Sequence, residues 1–223
     1  MEIKLSKQRS QVILLYTTTL IGVFLGVISS IVNTHYVDPA VYGDVRYVQN
    51  IINFISSLLL LGYFQSGSRL LALAKNIEES SKIKGCMVII LIVTSLILML
   101  SCLICGLFHS GRSGLDGLFW ISIPVCVSPL LLNYVNTTAQ GDNQISRISA
   151  ARLLPSLIYV PVAFVLYKYT GATSTKMILL QWGIATIILT GVIWSTRPHF
   201  SGLSNVWKTL LKENREYGFQ LYI

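Results

Sequence analysis

The stretch GCMVIILIVTSLILMLSCLICGLFHSG, Gly85–Gly111, holds no charged side chain. About 20 consecutive apolar residues cross the hydrocarbon core of a bilayer as a helix. Charge-free runs of similar length recur at Ser10–Thr34, Tyr47–Ser68, Gly117–Gly141 and Met177–Thr196. A further run, Ile148–Tyr167, is long enough only if Arg152 is counted in its first turn. There an arginine can snorkel to headgroups or face a wet cavity. The runs are continuous, whereas barrel strands show alternating segments of about ten residues. The expected fold is therefore an all-α membrane protein with six transmembrane helices near 11–34, 47–68, 85–108, 117–138, 148–167 and 177–196. The first run exceeds a signal-peptide core and lacks a small-x-small site, so it is expected to stay as a helix.

Composition agrees. Of 223 residues, 53% are hydrophobic and 12% charged, against roughly 25% charged in an average soluble domain. Mean hydropathy is +0.65. These values exclude a disordered chain, a nucleic-acid-binding tail and an ordinary soluble enzyme. Cys102 and Cys105 form a C-x-x-C inside an apolar run and read as small apolar filler; His35, His109 and His199 stand apart. No metal site, cofactor motif, P-loop or paired intramembrane carboxylate is expected.

The net charge of +8 is unevenly placed. One side of the expected topology holds Lys4, Lys7, Arg9, Arg69, Lys75, Lys82, Lys84, Arg147, Arg152, Arg197, Lys208, Lys212 and Arg215; the other holds Arg46, Arg112, Lys168 and Lys176. Thirteen against four puts the N-terminus and the residues after the sixth run in the cytoplasm. The Asn136-Thr-Thr138 glycosylation pattern then falls on the cytoplasmic side, where no acceptor works. Residues 197–216 read as an amphipathic cytoplasmic helix with Val206, Trp207, Leu210 and Leu211 on one face. Residues 217–223 turn apolar, as at the start of a seventh helix cut short.

Polar side chains are costly in lipid and should face protein or water. Arg46, Asn50, Asn53, Ser57 and Ser68 fall within one arc of the second helix. Thr18, Thr19, Gly22, Gly26, Ser29 and Asn33 do so on the first, and Cys126, Pro129, Asn133, Asn136 and Gln140 on the fourth. The three stripes are expected to line one cavity or to pack against neighbouring helices. Packing is the preferred reading for the first stripe, where Gly22 and Gly26 form a G-x-x-x-G pair. The cavity is preferred for the second, and the fourth stays open. Pro129, Pro155 and Pro161 break backbone ladders and permit bending.

Four short motifs resemble a known family. They are Tyr36-Val-Asp-Pro-Ala-Val-Tyr42-Gly43, Leu61-Gly62-Tyr-Phe-Gln65-Ser-Gly67-Ser-Arg69-Leu-Leu-Ala72, Ala139-Gln140-Gly141-Asp142-Asn143 and Glu216-Tyr217-Gly218-Phe219. In order and spacing they are similar to the N-terminal half of polysaccharide flippases, the O-antigen translocase and exporter branch of the multidrug/oligosaccharidyl-lipid/polysaccharide superfamily. The resemblance implies two six-helix lobes around a central cavity. It also implies translocation of an undecaprenyl-diphosphate-linked oligosaccharide across the bacterial cytoplasmic (inner) membrane for O-antigen or other surface polysaccharide, with no bond-making chemistry. Only the first lobe of that pattern is found here, so the expected partners are the lipid-linked oligosaccharide, membrane lipids and a missing C-terminal half or second copy, with no nucleic acid. Arginine forks match phosphate oxygens. Arg69 and Arg152 are expected to capture the diphosphate, Arg46 to stand at the outer mouth, and Asn50, Asn53 and Gln65 to contact sugar hydroxyls. The competing reading makes these arginines topology anchors. Alternatives for the whole chain are a cation-coupled drug or metabolite exporter, a membrane polysaccharide polymerase or ligase, and a nonfunctional remnant.

Overall fold

A computed structural model describes residues 2–111 and 114–222, with side chains from Ile13 to Leu221. The side chains of Lys4, Lys7 and Arg9, together with Arg112 and Ile223, lie outside the described residues. Ten α-helices follow one another, and no strand occurs among the described residues. They are α1 (Glu2–Tyr36), α2 (Pro39–Leu59), α3 (Tyr63–Leu73), α4 (Ile77–Phe108), α5 (Leu115–Ser122), α6 (Ser128–Gly141), α7 (Ile145–Thr170), α8 (Ser174–Ser195), α9 (Ser204–Glu213) and α10 (Phe219–Tyr222).

Four helices, α1, α4, α7 and α8, are long and apolar enough to cross a membrane unbroken. The second expected span is a bent pair, with α2 and α3 meeting at 56°; counted together they make a fifth. The fourth is divided as well. Five residues of turn, 123–127, separate α5 from α6; Pro124 lies among them and Pro129 in the first turn of α6, and neither proline can donate to the helical ladder. Val125 and Cys126 N–H turn back to the Ser122 carbonyl instead, at 2.9 and 2.7 Å. The described residues thus hold four unbroken candidate spans, one bent pair and the divided α5–α6 segment. Pro155 and Pro161, by contrast, leave α7 unbroken.

Several helices also begin earlier than hydropathy alone predicts. The Asp38 carboxylate accepts from Ala40 N–H at 2.9 Å, and Pro39 takes the first helical position, where its missing N–H costs nothing. The second span therefore starts eight residues before Tyr47. Asn76 caps α4 by accepting from Glu79 N–H at 2.8 Å, while Glu79 reaches back to Lys75 N–H at 3.0 Å. At 32 residues, α4 is about 48 Å long, so its charged first turns extend past an apolar core about 30 Å thick.

The core centres on α6. Tyr134 and Leu130 are fully buried there, packed among α3, α4, α7 and α8. Two glycines permit close approaches on α3 and α6. A side chain at Gly67 would run into Met87, and one at Gly141 into the Ser68 backbone. By contrast, α1 is held mainly by α7; only 11% of its most apolar window is buried.

The bend between α2 and α3 has a specific lock. Leu61 and Gly62 adopt positive φ, +45° and +75°, which ends the α2 ladder. Asn214, 153 residues on, donates from Nδ2 to the freed Leu61 carbonyl at 3.2 Å. Its Oδ1 accepts from Ser66 Oγ at 3.1 Å. Asn214 opens a π-helical turn, Asn214–Gly218, that joins α9 to α10. The chain is therefore helical without interruption from Ser204 to Tyr222, rather than passing from a linker to a new helix at residue 217. Leu210 is buried and Val206 and Trp207 half-buried, with α9 packed on α3 and α4. Leu211, expected on the same face, is exposed.

Candidate functional site

Two hollows lie along the side of the bundle that α1 flanks, and Arg152 belongs to both. One, of about 260 Å³, is lined by Ser29 from α1, Ser128 from α6, Arg152, Ser156 and Tyr159 from α7, and Gln181 from α8, with apolar residues between. The other, of about 310 Å³, is lined by Thr19 from α1, Gln140 and Asn143 beside the α6–α7 connection, and Arg152. Among the described residues neither lining contains a carboxylate. Arg152 is exposed, and its Nε donates to Asn136 Oδ1 at 3.4 Å. Because α7 starts at Ile145, Arg152 stands in the second turn, inside the helix.

The hollow lined by Tyr159 borders a polar network. Tyr159 donates to Asn33 Oδ1 at 2.5 Å and lies 3.3 Å from the Tyr167 hydroxyl. Asn33 is fully buried; among the described residues its Nδ2 has no partner. An unpaired amide in such a place is expensive, so the Tyr159 hydroxyl holds the one satisfied end. Tyr159→Phe is expected to lower stability by about 1–3 kcal/mol, read as an earlier thermal unfolding midpoint in detergent, while Tyr16→Phe on the exposed face of α1 leaves it unmoved.

Arg46 joins this region by relay. Its guanidinium donates to Tyr42 Oη and to Gln49 Oε1, both at 3.0 Å, and lies over the Tyr42 ring at 5.0 Å. Buried Gln49 then donates to Gln181 Oε1 at 3.1 Å, on the hollow's wall. Gln49 and Gln181 were not singled out from the sequence. A glutamine in an apolar run is a weak mark, because the same residue serves helix packing.

The other expected site residues lie elsewhere. Asn50 and Asn53 are exposed on the outer face of α2, with Ser57, Tyr47 and Phe54 beside them. Gln65, on α3, is half-buried, and its Oε1 is buried with no partner among the described residues. Arg69 pairs with Glu213 at 2.8 Å and lies over the Tyr217 ring at 4.5 Å, which ties α3 to α9 and the π-turn. The three polar stripes therefore do not share one cavity. On the first helix, Thr18 meets Ser149 of α7 at 3.2 Å and Gly22 faces Leu153, so that part is a packing seam; Ser29 of that stripe lines the hollow with Tyr159 and Thr19 the other. On the fourth expected span, Asn136 accepts from Arg152 and Cys126 is buried. Cys102 is buried, with Sγ donating to the Phe119 carbonyl at 3.1 Å. Among the described residues no three His, Cys, Asp or Glu side chains gather as metal ligands would.

A family model described as polysaccharide biosynthesis protein matches residues 9–223. The chain belongs to that family. No curated protein and no solved structure matches it. As a polysaccharide biosynthesis protein with several apolar helices long enough to span a bilayer, it is a multi-pass membrane protein, and the hollows around Arg152 are its candidate site.

Proposed function

We propose that this polysaccharide biosynthesis protein forms one lobe of a flippase that moves undecaprenyl-diphosphate-linked oligosaccharide across the bacterial cytoplasmic membrane, and that it makes and breaks no covalent bond. The observation that carries the reading is Arg152 as the common wall of two hollows lined by hydroxyls and amides, with no carboxylate among the described residues. A guanidinium there offers a bidentate fork to a diphosphate. Neighbouring Ser, Tyr and Gln groups offer hydrogen bonds to sugar hydroxyls. A coupled exporter that carries a cation would want a carboxylate in such a place.

In this reading the bent α2–α3 pair and the divided α5–α6 pair each cross once, giving six crossings with the N-terminus in the cytoplasm. A second lobe, or a second copy, covers the outer face of α2. Asn50 and Asn53 support that arrangement, since lipid gives an exposed amide no partner. They contact the glycan from that face, and Gln65 does so from α3. Arg46 holds the Gln49–Gln181 relay in place from the outer side. Arg69 takes part in loading only when its pair with Glu213 opens.

The test is surface polysaccharide in cells carrying Arg152→Ala, Arg152→Lys and Asn50→Leu/Asn53→Leu, each at normal membrane level. Arg152→Ala is expected to cut export at least tenfold, since charge-assisted contacts of this kind carry about 1.5–3 kcal/mol each, and Arg152→Lys to recover part of it. Unchanged export in Arg152→Ala rejects the site.

A further inference from the structure

At the end of the bundle where α3 stops and α4, α7 and the α9 approach begin, a cavity of about 800 Å³ opens. It shares only Asn143 with the Arg152 hollows. Its charged lining is Lys75, Lys84, Arg147, Arg197 and Asp142. Asp142 is already spoken for. It pairs with Lys84 and accepts from Ser80 Oγ at 3.2 Å, and both charged side chains are nine-tenths buried or close to it. Three cations therefore remain, Lys75, Arg147 and Arg197, and none has a carboxylate partner among the described residues.

Like charges converging on one concavity repel unless an anion joins them. Surface anchors for topology have no need to converge, because each can extend separately into water or headgroups. Two helix ends bring their terminal residues to this wall. Among the described residues three non-glycine residues have positive φ, and two of them, Asn143 at +54° and Arg197 at +51°, stand on this cavity's wall, each directly after the C-cap of α6 or α8. At Arg197 that conformation ends α8, with the Arg197 N–H turned back to the Trp194 carbonyl at 3.2 Å, and it leaves the residue on the cavity's rim.

We infer that this cavity binds a phosphate group, presented either by an anionic phospholipid at the bilayer surface or by a soluble phosphorylated compound. Arg147 and Arg197 supply the guanidinium forks and Lys75 a point charge, while the Lys84–Asp142 pair forms the neutral floor. The inference does not depend on the flippase reading, since no residue of the Arg152 hollows other than Asn143 takes part.

The experiment uses the full chain in nanodiscs and reads its thermal unfolding midpoint in two arms. In the first, discs of phosphatidylcholine alone are titrated with inorganic diphosphate. In the second, phosphatidylglycerol replaces a fifth of the lipid and nothing is added. Each arm is repeated with Arg147→Gln/Arg197→Gln and with Lys208→Gln/Lys212→Gln, which removes equal charge from the exposed face of α9. A rise of about 3 °C or more at tenfold excess over Kd is expected in at least one arm. It should be lost in the arginine pair and kept in the lysine pair. A rise in the first arm assigns a soluble ligand; a rise in the second alone assigns a lipid headgroup. No rise in either arm, or a rise that survives Arg147→Gln/Arg197→Gln, overturns the site.

Discussion

Gly62→Ala is expected to leave little folded protein in the membrane. Two costs fall together at this position. Gly62 has φ +75°, which an L side chain adopts only under strain. A methyl group there would also overlap the Gly218 carbonyl and the Phe219 amide, both backbone atoms in a helical turn that cannot rotate aside. Strain of about 1–3 kcal/mol and overpacking of about 1–3 kcal/mol together approach the whole stability of a small domain. The measurement is the fraction of monodisperse protein recovered in detergent and its unfolding midpoint. Gly26→Ala is the control, because nothing lies within 4 Å of the added atom; it should hold or gain stability. Equal recovery of the two variants would show that the bend does not need the contact with Gly218.

Lys84→Met is expected to destabilise by about 3–5 kcal/mol, the usual cost of leaving one member of a buried ion pair alone. The stranded group is Asp142, whose remaining partner is Ser80. Asp142→Asn should destabilise too, since it leaves the buried Lys84 ammonium without its counter-charge. The informative variant is Lys84→Met/Asp142→Leu. Replacing both charges with apolar groups of similar volume often costs nothing, so the double variant should recover most of what Lys84→Met loses. Reversible unfolding in mixed detergent gives the three values. An additive double variant would mean that the two side chains do not act as a pair.

The spans were legible because the bilayer's demand is blunt: a run such as Gly85–Gly111 has no competing explanation. Helix starts were less so when judged by hydropathy, yet Asp38-Pro39 and Asn76-Ile-Glu-Glu79 carry ordinary capping chemistry that marks them. The division at Pro124 and Pro129 is likewise local. The bend at Leu61 is different. Nothing near Leu61 announces a positive φ, because the partner that makes it affordable, Asn214, lies 153 residues away. Within the site, Arg152 stood out as a lone charge in an apolar run. Gln49 and Gln181 did not, since two amides find each other only once α2 and α8 are packed. The arc through Arg46, Asn50 and Asn53 misled for a geometric reason. Its edges face different neighbours, so Arg46 turns toward Gln49 while the two asparagines point away.

The sparse holding of α1 has a consequence for biogenesis. Its hydrogen bonds to the bundle span 131 residues, Thr18 to Ser149, and 126 residues, Asn33 to Tyr159. At ribosomal speeds of about 5–20 residues per second, the first helix waits roughly 6–25 s after leaving the ribosome before its main companion has been made. Until then it is an orphan in the lipid, and whatever insertion factor shields it must let go in time for α7 to arrive.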